Sequence, residues 1–319
     1  MTDTLAPAFF AADPSAWVAM GNAWLAGLRK EALFYALAAG GLWLLLHQLL
    51  RRQLAHRLIA GWPQAQDIRR EIGYSVSTLV VFAALGAAVF ALMLQGHVFI
   101  YRRPDRFGWL WLAASFPLML LWHDTYFYWT HRLLHRLMRS NWRYARVHGV
   151  HHRSRNPSPW AAYAFHPVEA VVNGLVTPLA LLAVPLHWSV LLAFAIHQIV
   201  RNAHGHLAVE VMPRGFARHR LWGLFTTTTH HHLHHETARG NYGLWFTWWD
   251  RWCGTERADY QQRFDRVTQP RASPRFASTP AEAASSPGGS TALETHPCPD
   301  SPPNSPAADA AWSPWRPVP

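Results

Sequence analysis

The sequence predicts an all-α membrane protein of about three to four transmembrane helices plus a re-entrant or broken helix, with a histidine-rich site for two metal ions in its second half. Three observations carry this. Half of the 319 residues are hydrophobic and 15% are charged, too few charges for an ordinary soluble domain of this size. The apolar residues are gathered into stretches that approach the length of a bilayer crossing. Of the 21 histidines, 17 fall between His123 and His235.

Residues 1–30 read as an N-terminal segment. Met1 to Ala12 lacks the basic n-region of a secretory signal, so the first apolar stretch is expected to be retained. That stretch, Glu31–Leu50, is stopped by Arg51 and Arg52 and is expected to cross the membrane. A second span covers about Val76–Leu94 and a third about Phe107–Trp122, joined by a short loop with Arg102, Arg103 and Arg106. Residues 31–106 are thus a transmembrane region, and the histidine-bearing domain occupies 107–265. Within it, Ala170–Val200 is apolar but interrupted at Val184-Pro185-Leu186-His187, which predicts a broken helix or re-entrant pair. One long helix kinked at Pro185 would put the third histidine group on the wrong side of the membrane. Residues 266–319, rich in Pro, Ser and Ala, are expected to be a disordered tail. No repeat of solenoid period is present.

The formal net charge of +11 comes almost wholly from arginine, Lys30 being the one lysine. These arginines flank apolar segments, which suits lipid headgroups. With no zinc-finger spacing, RNP motif or long basic run, nucleic acid is excluded as a partner. If spans two and three form a hairpin, Arg51–Tyr74 and everything from His123 onward share one face. That face carries the larger share of arginine, so the positive-inside rule places it in the cytoplasm. Cys253 and Cys298 are too far apart in character to suggest a disulfide framework, the second lying in the expected tail. His47 and His97, near span ends, read as interfacial side chains.

Three histidine groups remain. His131 and His135 stand at i and i+4, on one helix face, where two imidazoles can converge on one ion. His148, His151 and His152 stand at i, i+3 and i+4, and so do His231, His234 and His235. The first member of each triplet can share a face with both others, while the adjacent pair splays enough to reach two neighbouring ions. Eight converging imidazoles exceed what one tetrahedral zinc uses, so two ions are needed. Imidazole alone does not choose between iron, copper, zinc and nickel. The Glu-x-x-His motifs of soluble di-iron bundles and the His-Glu-x-x-His of zinc proteases are both absent.

At these residues the chain resembles the fatty acid hydroxylase and sterol desaturase superfamily of membrane oxygenases. The likeness runs from about Phe107 to Thr255. It takes in His123-Asp124 through His131 and His135, then His148 to Ser154, Phe165-His166-Pro167-Val-Glu169, Gly205-His206 to Glu210, His230 through His235, Asn241-Tyr-Gly243 and Trp249-Asp250-Arg251. The resemblance implies a helical membrane domain capped by a cytosolic helical bundle that holds two non-haem irons. It adds His206 as a ninth ligand to His131, His135, His148, His151, His152, His231, His234 and His235. Superfamily members often carry a further histidine where this chain has Asn202, and His204 is a candidate substitute. Asp124, Glu169, Glu210 and Asp250 are candidate partners for the outer N–H of ligating imidazoles. His123, His166 and His230 are each an extra ligand or a supporting residue.

The activity so implied is O₂-dependent hydroxylation or desaturation of a membrane lipid, the substrate entering sideways from the bilayer past aromatic residues such as Trp109, Trp111, Phe116, Phe127, Trp245, Phe246 and Trp248. Electrons would come from outside the chain, since it has no GxGxxG unit and no cysteine cluster. The resemblance points to a cytochrome b5-type or ferredoxin partner. The alternative of another class is a membrane protein that binds or transports metal without redox catalysis; transporters place their ligands at mid-membrane, and here only His187 and His197 lie inside an apolar stretch.

Overall fold

The computed structural model describes residues 14–270; the expectations for residues 1–13 and for the tail from 271, Cys298 included, lie outside them. The first helix, α1 (Pro14–Tyr35), runs on through π-helical turns at Ala36–Gly40 and Trp43–Leu49, so the apolar helix reaches from Trp17 to Leu49. It is longer than the expected Glu31–Leu50 because the charges at its supposed start do not end it. Lys30 and Glu31 pair with each other at 3.0 Å, and the residues before them are apolar enough to continue the helix. A single turn, α2 (Arg51–Leu54), follows the arginine stop.

Helix α3 (Ala65–Leu94) is also longer than foreseen. Its polar first turns do not hang in solvent: Glu71, Ser75 and Thr78 are buried. Glu71 accepts from the Ser158 hydroxyl, Ser75 Oγ donates to Trp160 O at 3.0 Å, and Arg70 donates to Ser154 Oγ at 3.2 Å. These bonds fasten the second apolar helix to the loop beneath the histidines. After a two-residue strand, β1 (Ile100–Tyr101), comes α4 (Trp109–Ser140), one helix that joins the expected third span to the first histidine pair. Its apolar part, about 14 residues, rises only about 21 Å before His123 and Asp124. Among the described residues, two helices, Trp17–Leu49 and Ala65–Leu94, are long and apolar enough to cross a membrane. The expected three to four are therefore not reached on length and composition alone.

Helix α5 (Trp142–His152) carries the second histidine group and leads into a 3₁₀ turn at Pro159–Tyr163. Next come α6 (Pro167–Gly174) and α7 (Val176–Ala183). The chain then opens at the Val184–His187 interruption instead of continuing as one kinked helix. Val184 is extended, at φ −144° and ψ 147°, as the ring of the following proline demands. Leu186–His187 form β2, which pairs in parallel with β1. His187 starts α8 (Trp188–Gly205): its Nδ1 accepts from Ser189 N, and its Nε2 donates to Arg102 O at 2.9 Å. Helices α9 (Thr228–Thr237), α10 (Trp248–Trp252) and α11 (Tyr260–Thr268) complete the fold. The last runs three residues past the boundary expected at 265, because Phe264, Val267 and Thr268 are buried.

The core has three parts. Tyr35, Leu79, Tyr163, Phe165 and Ile199 lock α1, α3 and α8 around the 3₁₀ turn. Met119, Leu181, Leu186, Phe194 and Trp245 join α4, α7 and α8 to the 241–250 loop. Ala217, Leu233, Tyr260 and Phe264 hold α11 against α9. His47 is not the interfacial side chain that was expected. It is 3% exposed and its Nε2 donates to Leu207 O at 2.8 Å, tying the end of the first apolar helix to the residue after His206. His97 is exposed.

Replacing His47 with Phe keeps the ring volume but strands the Leu207 carbonyl, and should lower stability by about 1–3 kcal/mol. The melting temperature in detergent reads this; an unchanged value would show the bond to be idle.

Candidate metal centre

Three helices and one helix end bring nine histidines together. His131 and His135 come from α4, His148, His151 and His152 from α5, and His231, His234 and His235 from α9. His206 caps α8. All nine are 4% exposed or less. They sort into two groups: His131, His135, His148, His152 and His234 in one, and His151, His206, His231 and His235 in the other. The adjacent pairs split between the groups, His152 from His151 and His234 from His235, because neighbouring residues on a helix point about 100° apart. The i, i+4 partners stay together, His148 with His152 and His231 with His235.

The first group has a definite shape. His135 Nε2 lies 3.2 Å from that of His131, 3.0 Å from His234, 2.9 Å from His148 and 3.1 Å from His152. Around it run His131 to His234 at 3.1 Å, His234 to His152 at 3.2 Å, and His152 to His148 at 3.1 Å. These are seven of the eight edges of a square pyramid with His135 at the apex. The cross-base pair, His131 and His152, stands further off, with ring centroids 6.4 Å apart. An octahedral ion with metal–nitrogen bonds of about 2.1 Å would need cis nitrogens about 3.0 Å apart, against about 3.4 Å for a tetrahedral one. In the second group, His231 Nε2 is 3.1 Å from both His206 and His235. His151 completes it, its ring 5.2 Å from His206 and 4.6 Å from His235.

The outer nitrogens settle where the protons are. Nδ1–H of His131 donates to Tyr242 O at 2.8 Å, that of His206 to Asn202 O at 2.7 Å, that of His234 to Gly240 O at 2.7 Å, and that of His235 to Ser154 O at 2.8 Å. A carbonyl only accepts, so each of these rings carries its proton on Nδ1 and a bare lone pair on Nε2. His131 and His234 then face each other Nε2 to Nε2 at 3.1 Å with no proton between them. Protonating the rings is opposed by burial, which holds His131 and His206 down to about 4 and pushes the other seven well below the ordinary imidazole value. A cation at the focus of each group would resolve the conflict, and imidazole nitrogens are suitable donors for iron, zinc or copper.

Among the candidate supporting carboxylates, Glu169 alone touches a clustered ring, its Oε1 2.7 Å from His148 Nδ1. Burial pushes its carboxyl well above the usual range, so a positive charge beyond His148 is what would keep it ionised. The other three act through backbone. Asp250 accepts from Tyr242 N and Gly243 N at 2.8 Å and from Thr255 Oγ1 at 2.7 Å, so it aims the carbonyl that His131 uses; it does not pair with Arg251. Glu210 accepts from Thr229 N and Oγ1 at the start of α9. Asp124 takes Trp245 N, Phe246 N and Trp248 Nε1.

The remaining candidates stand outside both groups. His123 lies flat on Trp245, ring centroids 3.9 Å apart. His166 Nδ1 caps α6 by accepting from Val168 N, and His204 Nδ1 accepts from Arg201. His230 approaches Asp250 at 3.8 Å and packs edge-on against Tyr260. Asn202 borders the narrow void beside the rings, but its amide donates to Ala162 O at 2.6 Å while its own carbonyl serves His206. Sequence reasoning did not find the carbonyls of Ser154, Gly240 and Tyr242. Backbone acceptors leave no residue-type signal, although Ala238 (φ 55°), Gly240 (φ 69°) and Asn241 (φ 51°) show how tightly the second of these is shaped.

Residues 116–255 match the family model described as fatty acid hydroxylase. Over 200 residues the chain is 33% identical to a Delta(7)-sterol 5(6)-desaturase of Gibberella zeae, covering 60% of this chain and 57% of that protein. It is 31% identical over 216 residues to a Delta(7)-sterol 5(6)-desaturase of Aspergillus fumigatus, covering 60% and 63%. It is 31% identical over 192 residues to the lathosterol oxidase of Homo sapiens, covering 59% and 61%. The chain thus spans less than two thirds of the length of these relatives. No solved structure matches at a significant level.

The depressed imidazoles fix the sign of a pH effect. Unfolded histidines take up protons from about pH 6.5 downward while the folded rings refuse them until about 4, so the stability of metal-depleted protein should fall as pH drops through that window. Melting temperatures from pH 7.5 to 5 with chelator present measure it; a flat profile would contradict the depression of these imidazoles by burial.

Proposed function

We propose that the chain is a member of the fatty acid hydroxylase and sterol desaturase superfamily, which its match over residues 116–255 and its sterol desaturase relatives support, and that it is a membrane-embedded, O₂-dependent lipid oxidoreductase with two non-haem irons. The observation that carries this reading is the pair of buried, all-imidazole groups. His131, His135, His148, His152 and His234 would hold one iron, and His151, His206, His231 and His235 the other. When bound, the iron pair supplies what the side chains lack, electron acceptance and O₂ reduction strong enough to oxidise an unactivated C–H bond; zinc has no such redox chemistry.

The chain's own residues fix, shield and admit. Carbonyls of Ser154, Asn202, Gly240 and Tyr242 and the carboxylate of Glu169 hold five of the nine rings in one tautomer, which spares the site reorganisation when it is loaded. Phe127, Leu134, Phe165 and Leu244 wall the void beside the rings, and its free space of about 10 Å³ leaves little room for water. Asn173 borders this void and also a larger cavity of about 280 Å³ lined by Phe82, Leu85, Leu181, Leu191 and Phe194. The place of the larger cavity, among the apolar helices and one residue away from the void beside the rings, supports a substrate that enters from the bilayer. Of the foreseen aromatic residues, Phe127 lines the void, whereas Trp109 is 68% exposed and Trp245 is packed against His123.

The names of the relatives favour a sterol-like substrate and removal of two hydrogens. Hydroxylation and desaturation share the oxidant and differ in how the second hydrogen is placed. The histidine face would lie in the cytoplasm, where a cytochrome b5-type or ferredoxin donor supplies electrons.

Lipids of cells with and without the chain, compared by mass spectrometry, should show a product about 2 mass units below its precursor, or about 16 above it for hydroxylation. An unchanged lipid profile under oxygen with a competent donor would refute the proposal. His135→Ala removes the one nitrogen that touches the other four of its group; it should halve the bound metal and lower turnover more than about 100-fold. His123→Ala, outside both groups, should retain both ions.

A further inference from the structure

A second cavity, of about 240 Å³, opens on the other side of Trp245 and contains none of the nine clustered histidines. Arg201, His197 and Trp245 supply its polar surface, and Trp222, Phe225 and Phe246 supply most of its aromatic wall. Arg201 is partly buried and has only neutral acceptors. Its Nη1 donates to His204 Nδ1 at 3.0 Å, and its Nη2 to Thr226 O, Thr226 Oγ1 and Trp245 O, each at 3.2 Å. Among the described residues no carboxylate forms an ion pair with it. Asp124 and Glu210 lie near enough to favour its charge but neither touches it, and its planar fork suits the paired oxygens of a carboxylate or phosphate.

A second, independent observation lies beside it. Trp245 is 1% exposed, yet its Nε1–H has no hydrogen-bond partner. A buried donor without an acceptor is rare in folded proteins. The mouth of the cavity is apolar on the outside as well: Trp222 is 54% exposed, Phe225 36% and the adjoining Leu221 67%. A surface of that kind suits the lipid interface better than water.

We propose that this cavity binds the anionic head of a membrane lipid, with its charged oxygens on Arg201 and the Trp245 N–H and the start of its apolar chain against Trp222 and Phe225. The site is separate from the substrate cavity at Asn173 and does not depend on the irons. Because Trp245 also stacks on His123, a lipid here would brace the aromatic layer next to the first metal group.

The test is native mass spectrometry of the full chain with phosphatidylglycerol, oleate or phosphatidylcholine added in turn. Wild type should retain one anionic lipid at least about 10-fold better than phosphatidylcholine, and whichever of the two anions is kept identifies phosphate or carboxylate as the head recognised. Arg201→Gln should reduce that retention about 10-fold, and Trp245→Phe, which loses only the N–H, a few-fold. If Arg201→Gln does not fold, Leu120→Trp, which fills the cavity and leaves the arginine in place, must produce the same loss. Equal retention of all three lipids by wild type, or undiminished anion retention in either folded cavity variant, would overturn the proposal.

Discussion

The structure turns on a contact that is unfavourable by itself: imidazole nitrogens meeting lone pair to lone pair. His131 and His234 approach to 3.1 Å with both of their protons committed outward, to Tyr242 and Gly240. Protonation cannot relieve this in a buried site, and hydrogen bonding between the two is unavailable. Much of the surrounding architecture makes sense as the means of holding such an arrangement ready for positive charge. The carbonyls fix the tautomers, and the loops are shaped to deliver the carbonyls.

How the helices are phased follows from the same demand. A helix offers i and i+4 to one focus and turns i+3 away, so α5 and α9 each feed both groups. They do so in opposite proportion: α5 gives two rings to the first group and one to the second, whereas α9 gives one and two. Helix α4 adds its pair to the first, and the end of α8 adds one to the second. Glu210 and Asp250 secure the elements from behind, at the start of α9 and in the loop under His131, so their burial serves the ligands without touching them. The fastening extends into the apolar region. Glu71, Ser75 and His47 tie the two long apolar helices to the loop 154–160 and to Leu207, so those helices buttress the ring cage as well as providing candidate spans.

Much of this was legible in the residues. Spacing alone separated the adjacent histidines between two groups, since 100° per residue is a property of any helix. The break before α8 was legible in Pro185, whose ring restricts the residue before it. Helix lengths were less so: Lys30 and Glu31 look like a boundary but neutralise each other, and the polar start of α3 looks like a loop until Ser158 and Trp160 are brought to it from more than eighty positions away. The supporting role of Glu169 was readable as a carboxylate near histidines, but so were Asp124, Glu210 and Asp250, and only three-dimensional packing separates a direct partner from one that acts through backbone. His47 was misread for a related cause, because an imidazole ring at a span end has the same composition whether it faces lipid or fills the core.

Whether the nine rings surround two ions decides what this histidine cage is for. X-ray absorption at the iron edge, on protein quantified for metal as isolated, measures this directly. It should find two irons per chain with shells dominated by imidazole nitrogen at about 2.1 Å. A single ion per chain, or shells in which carboxylate or sulfur replaces most of the nitrogen, would contradict it.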